Sequence, residues 1–406
     1  MHILQTVPPS NINRDDTGSP KTAIYGGVTR ARVSSQAWKR ATRTMFGELL
    51  DPATLGVRTK HVVELIAHHI TALSPEFPTP EAAALEVVTA AGIKVEKPQR
   101  RTKAGSDRAA TATTSHAKDE TVDASPTDGE DNGTAAPEDA ASGKTDAIER
   151  SKYLLFLSAS QIDRLARLAV HAHQDDAGID KGAARAAAQG DNSVDVALFG
   201  RMVADANDLS IDAAAQVAHA ISVHAVNNEF DYFTAVDDRA PQDNVGAGML
   251  GFIEFNSSTL YRYATVNVPM LAQNLGNAAA TEKAVQAFLT AFVKSMPTGK
   301  QNTFAHRTLP ETVVFSVRTD QPVNLVGAFE EPINAAGIAR ATLATKALVS
   351  RLQSVEHTYG DGSTRTFVVA TGDTADELES LGTPLSLKAA VDAVVEQIQH
   401  TLGGNE

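Results

Sequence analysis

Residues 30–43 read RARVSSQAWKRATR. The opening residues suit a short strand, the serine pair supplies a helix N-cap, and the remainder spaces apolar and basic residues at helical period. A strand that runs directly into a capped helix is a junction of mixed sheet-and-helix architecture, so this stretch sets the kind of fold. At about 100° per residue, Gln36, Lys39, Arg40 and Arg43 share one stripe of the helix, with Ala41, Trp38, Met45 and Leu49 opposite. One side is expected to seat the helix and the other to present charge. The stretch holds five basic side chains and no acidic one. Free backbone N–H groups at the serine-capped start, Ser34 or Ser35, favour an anion. A phosphate-rich partner is therefore preferred over a merely solvated face. The polar loop leading in, over residues 8–27, adds Arg14, Lys21 and a Gly26-Gly27 pair that lets backbone approach a polyanion.

Whole-chain charge points the other way and misleads. The 406 residues carry a formal net charge of −13, yet residues 104–149 hold eleven Asp/Glu against three Lys/Arg, a local −8. Residues 1–58 carry eight Lys/Arg and four Asp/Glu, a local +4. The acidic segment is nearly all Ala, Thr, Ser, Gly, Pro and acid, and too little apolar surface is available to offset the entropy of ordering. It is read as the acidic part of a disordered loop over about residues 98–150, and a basic patch of Lys94, Lys97, Arg100, Arg101 and Lys103 precedes the acidic segment. A hydrophobic fraction of 42% suits a globular protein. No apolar run reaches the roughly eighteen residues of a membrane span, and the N-terminal MHILQTVPPSNINRDD lacks the parts of a secretory signal. The absence of cysteine excludes disulfides, thiolate zinc sites and cysteine nucleophiles. A soluble, cytoplasmic protein is expected.

Along the chain, strands are expected at residues 3–7, 29–33, 194–199, 313–318 and 366–370. Helices are expected from Ser34 or Ser35 to about residue 50, and at 60–73, 80–91, 161–173, 211–224, 282–294, 333–352 and 385–401. Residues 226–251 read as a long loop or small excursion. GFIEF and LYRYATVNV, separated by Asn256-Ser257-Ser258, read as a hairpin.

Several blocks, taken in order, resemble one family. They are Asn13-Arg14-Asp15-Asp16, Ile24-Tyr25-Gly26-Gly27, and Arg32-Val33-Ser34-Ser35-Gln36 followed by Lys39-Arg40-Ala41 and Arg43. Further along come DVALFGRM at 195–202, AHAI at 218–221, DYFTAVDD at 231–238, YRYA at 261–264 and QNLG at 273–276. Together they are similar to the CasC-type backbone subunits of type I-E CRISPR Cascade surveillance complexes, over roughly residues 1–300. The acidic loop departs from that pattern.

The resemblance implies an α+β fold: a modified RNA-recognition-motif (ferredoxin-like) palm, a helical fingers insertion and a thumb loop. The palm would take residues 1–58, 191–225 and 257–406, the fingers 59–190 and the thumb 226–256. It further implies a filament of copies along CRISPR RNA, with other Cascade subunits as partners and the target DNA strand engaged through the guide. Carried onto this chain, guide-backbone contacts fall on Arg14, Lys21, Ser34, Gln36 and Lys39. Met202 would pack against bases near a kink, with Phe233 and Thr234 on the thumb. Arg40 and Arg43 join from the helical stripe alone.

Such chemistry suits a protein that serves many guides, since phosphate and sugar contacts leave base edges free for pairing. No cofactor and no catalytic residue is expected. The rival reading is a metal-dependent ribonuclease using Asp15/Asp16 or Asp237/Asp238 to hold Mg²⁺. His68-His69, His171 with His173, and His219 with His224 lack a third ligand at metal spacing. A protein scaffold without RNA would leave the basic stripe unexplained.

Overall fold

The computed structural model describes residues 1–97, 148–235, 249–335 and 337–403. The expected disordered loop, apart from its last residues, and the Asp237-Asp238 pair lie outside the described residues.

In chain order, β1 (His2–Ser10) leads through a polar loop to β2 (Thr22–Tyr25) and β3 (Val28–Val33), and β3 feeds α1 (Ser35–Leu49). Next come β4 (Gly56–Thr59), α2 (Val62–Leu73), α3 (Pro80–Ala90) and β5 (Val95–Glu96), then β6 (Arg150–Ser151), β7 (Leu155–Ser158), α4 (Ala159–Gln174) and α5 (Lys181–Ala188). The chain continues with α6 (Val194–Phe199), β8 (Ala215–Val217), β9 (Ala220–Ser222), β10 (Glu229–Ala235) and β11 (Met249–Val266). The last part holds α7 (Val268–Leu275), α8 (Ala278–Lys294), α9 (Gln301–Phe304), β12 (Thr312–Val317), α10 (Arg340–Tyr359), β13 (Arg365–Ala370), α11 (Thr374–Leu378) and α12 (Leu387–Gly403).

The main sheet is antiparallel, in the order β13-β12-β1-β11-β9-β3-β2, with β8 and β10 also pairing along β11. Its central strands are buried on both faces, and alternate residues enter different cores. Ile3 and Val7 of β1, Leu260 and Ala264 of β11, and Val313 and Phe315 of β12 join α1, α8 and α12 in one cluster. Their neighbours Leu4, Tyr261 and Val314 turn to the other face, against Leu348 and Leu352 of α10. A third cluster is built separately from α2, α3, α4 and α5 with β7. The fold is thus the expected mixture of helices and antiparallel sheet.

Trp38 sets the rotation of α1. Fully buried, it covers the guanidinium of Arg262, 3.7 Å from the ring centroid, with Phe292 at 4.6 Å. Arg262 donates to Gln5 Oε1 at 2.6 Å and to the Phe292 carbonyl, and burial pushes its pKa down to about 9. Thr42, Met45 and Phe46 complete the seated side.

Four expectations fail for identifiable reasons. Residues 194–199 form a helical turn rather than a strand, since a six-residue apolar run does not distinguish the two. Residues 211–224 form no helix: Ala-rich propensity yields to pairing of β8 and β9 with β11. Residues 229–235 are strand, paired with residues 249–255. Asn256-Ser257-Ser258 is no turn but the middle of the eighteen-residue β11, with Asn256 opposite Ser10 and Ser258 opposite Val7. Its polar residues are explained by local bonds, such as Asn256 Nδ2 donating to Asn228 Oδ1 at 2.9 Å. The α10 helix also starts later than expected, at Arg340, and runs on to Tyr359.

Candidate nucleic-acid interface

The start of α1 is built as its sequence suggests. Ser34 is the N-cap, its Oγ accepting from the Ala37 N–H. A second connection ties in the preceding loop: the Ser34 N–H donates to Asn13 Oδ1, the Lys21 N–H to the Asn13 carbonyl, and the Arg32 N–H to the Lys21 carbonyl, each at 2.9 Å. Arg14, paired with Pro20 by a β-bridge, and Lys21 are thereby held beside the helix start. Gly26 and Gly27, at φ 60° and 76°, make the β2–β3 turn. A Cβ on Gly26 would lie 1.7 Å from the Glu330 carbonyl oxygen, so this glycine serves close backbone packing rather than approach to a ligand.

The basic stripe divides in two. Gln36 and Arg40 are exposed and Lys39 is half-buried, with no ion-pair partner for either cation among the described residues. Burial lowers the Lys39 pKa. Arg43 is committed inward: Nε donates to Asp195 Oδ2 and Nη2 to the Gly56 carbonyl, both at 2.9 Å, and the guanidinium lies over Phe156. Asp195, 1% exposed, also accepts the Gly56 N–H. Arg30 is likewise internal, donating to the carbonyls of Tyr25, Ser222, Phe329 and Glu330. Arg32 remains at the surface instead. Its Nη1 donates to His219 Nδ1 at 3.3 Å, and His219 is exposed between β8 and β9. Sequence reasoning missed Arg32 and His219 as a cluster, although each lay in a family-like block.

Met202 is 85% exposed, an unusual position for a large apolar side chain. The backbone around it is locked. Gly200, at φ 78°, ends α6 where a Cβ would meet the Ile211 carbonyl at 2.9 Å. Arg201 then anchors inward on the carbonyls of Leu209, Phe156 and Ala188 and on Gln161 Oε1. Burial pushes its pKa down to about 10. With Arg201 turned in, Met202 points out.

Strands β10 and β11 form a two-stranded arm beyond the sheet. Phe230, Tyr232, Phe233 and Phe252 are all exposed on it, and Tyr232 and Phe252 face each other at 5.2 Å between ring centroids. Phe233 lies across Gly251, where a Cβ would come within 2.4 Å of the ring. Thr234 is exposed beside it. The base of the arm is tied to the Asn13–Lys21 loop. Ser19 Oγ and Asn228 Nδ2 donate to the Glu254 carboxylate, and Asn11 Nδ2 donates to the Glu254 and Gly18 carbonyls. Helix start, basic loop and arm are therefore one hydrogen-bonded assembly. Met202 connects to it through α6, which the Arg43–Asp195 pair and the stacked Phe46 and Phe199 rings hold against α1.

Of the paired acids, Asp15 forms a turn. Its Oδ1 accepts from the Thr17 N–H and hydroxyl and from the Ser19 N–H, and these bonds, the Thr17 hydroxyl first, lower its pKa. Among the described residues no group of three His, Asp or Glu is placed to hold a metal ion.

Comparison with known proteins bears on this assembly directly. No curated protein matches the chain. The solved chains similar to this one include two that match over nearly the whole length. One belongs to a "CRISPR RNA-guided surveillance complex, pre-nicking", with 31% identity, 98% of each chain covered and a TM-score of 0.77. The other, from a "CRISPR RNA-guided surveillance complex", has 26% identity, the same coverage and a TM-score of 0.68. The family model described as "CT1975-like protein" matches residues 1–393, and the chain belongs to that family.

Proposed function

We propose that this chain is a non-catalytic backbone subunit of a type I-E, Cascade-like CRISPR surveillance complex. Acting in the cytoplasm, it binds guide RNA along the surface formed by Arg14, Lys21, the Ser34 cap, Gln36, Lys39 and Arg40. Copies stack along the spacer, and the complex offers the guide for pairing with target DNA. The observation that carries this reading is the hydrogen-bonded union of a basic, serine-capped helix start with an arm of exposed aromatics. The 31% identity over 98% of a surveillance-complex chain supports it.

The physics is that of sequence-independent binding. Lysines, arginines and cap N–H groups hold phosphates, while Met202 and the arm aromatics supply apolar faces for unstacked bases. Arg43 has a supporting part in this scheme, holding α1 to α6 so that the stripe and Met202 keep their relative placement.

The test is binding of fluorescent single-stranded RNAs of unrelated sequence over a salt series, with magnesium and with chelator. Affinity indifferent to sequence should fall with salt, and Lys39→Glu with Arg40→Glu should flatten the slope by roughly 0.7 per lost phosphate contact. Salt-insensitive assembly without RNA would sink the proposal. Magnesium-dependent shortening of the RNA would shift the function to the aspartate pairs as a ribonuclease.

A further inference from the structure

We infer that His219 is a phosphate-binding residue of the guide surface that takes up a proton when RNA binds, acting with Arg32 and Lys21. The inference rests on the RNA-binding reading above and extends it to a residue and a linkage which that reading does not contain.

The geometry comes first. His219 stands between β8 and β9, on the edge where β9 pairs with β3, Ile221 lying opposite Arg32. Arg32 Nε donates to the Thr22 carbonyl at 3.1 Å, which lays the guanidinium along the start of β2. Its Nη1 then reaches His219 Nδ1. Arginine only donates, so Nδ1 must be the acceptor, and the ring proton sits on Nε2, on the side away from Arg32. Lys21 completes the cluster, since its carbonyl takes the Arg32 N–H. The charged groups acting on His219 are Arg32 of β3 and Lys21 of the loop before β2, both cationic. None of the three side chains has an ion pair with a carboxylate among the described residues.

Such a cluster is frustrated without a ligand. Two fixed cations oppose a third charge beside them. Partial burial, followed by Arg32 and Lys21, holds the imidazole pKa below its ordinary value. A phosphodiester placed against the three groups reverses that balance, because a nearby anion favours the imidazolium and screens it from its neighbours. The proton taken up goes to Nδ1, which ends its acceptance from Arg32 Nη1; the phosphodiester oxygens then accept from Nε2–H of His219 and from the released guanidinium of Arg32. Phosphodiesters stay singly charged across neutral pH, so any pH dependence of this contact belongs to the protein.

The experiment compares the full-length wild type with His219→Gln, which keeps a side-chain donor but cannot titrate. Binding of a fluorescent single-stranded RNA is measured from about pH 8 to about pH 6, with calorimetry in two buffers of different ionisation enthalpy. Wild-type affinity should tighten by roughly threefold or more per subunit on acidification, with net proton uptake on binding. His219→Gln should bind RNA with that part of the pH slope and of the proton uptake removed. Equal slopes and equal uptake in the two proteins overturn the inference while leaving the RNA-binding function standing. Absence of RNA binding in both overturns the function and the inference with it.

Discussion

Residue by residue, the five bases of the opening stretch do different work. Lys39 and Arg40 are available to a ligand, whereas Arg30 and Arg43 hold the fold together. Arg43→Ala would leave Asp195 buried and half-paired, and a loss of about 3 kcal/mol is expected from breaking such a pair. Partial exposure of Arg43 places this at the lower end of the range for buried pairs. Arg40→Ala, by contrast, should leave stability within about 0.5 kcal/mol and weaken RNA binding. Denaturant unfolding of both variants beside an RNA titration separates the two roles, and equal stability losses would refute the division. Met202→Ala belongs with Arg40: at 85% exposure it should not alter unfolding, but should weaken stacking on the guide. An unchanged affinity for RNA would remove Met202 from the interface.

Among the elements, the arm carries the exposed aromatic surface that the proposed RNA partner would cover. A two-stranded ribbon is marginal in water, and this one exposes four aromatic rings. Gly251→Ala should displace Phe233 through a direct collision with its ring while leaving the three cores untouched. The expected outcome is an unchanged melting temperature with faster amide exchange over residues 229–235 and weaker assembly on RNA. Wild-type assembly in that variant would show that Phe233 is dispensable. The paired short strands β5 and β6 make a second prediction at this scale. Val95 lies opposite Ser151 and Glu96 opposite Arg150, so the chain leaves and returns at adjacent points. Replacing residues 104–149 by a short Gly/Ser turn should preserve folding and complex formation. Failure to assemble would mean the segment has a structural role.

At the scale of the whole molecule, pH should act on stability through histidines kept neutral. Burial lowers the pKa of His2 and of His224, and burial with Arg32 and Lys21 lowers that of His219. His224 shows why: its Nε2 accepts the Thr259 N–H at 3.1 Å and lies 3.3 Å from Arg340 Nη1. Protonation of Nε2 would break both contacts. Because these folded-state values lie below the unfolded ones, their contribution is present above the unfolded pKa, near 6.5, and is lost as pH falls through the folded values. The melting temperature should therefore drop below about pH 6.5. Bound RNA should slow that drop by stabilising protonated His219. A flat profile down to about pH 5 would contradict this.

Local chemistry alone determined a good deal about this protein: a mixed fold, a serine-capped α1, the seating of Trp38 and Met45, and a basic stretch suited to phosphate. These follow from propensity, capping and periodicity, which act over a few residues. The tertiary structure decided the rest. Only the strands paired along β11 replaced the expected helix at residues 211–224 with the short strands β8 and β9 and carried Asn256-Ser257-Ser258 through without a turn. Which bases face solvent was decided by buried partners far away in sequence, Asp195 for Arg43 and the Phe329 carbonyl for Arg30. The approach of His219 to Arg32 has the same origin, because it spans 187 positions of sequence and exists only where β9 lies beside β3. Helical phase specifies the direction of a side chain, whereas its partner is set by long-range pairing that no local pattern encodes.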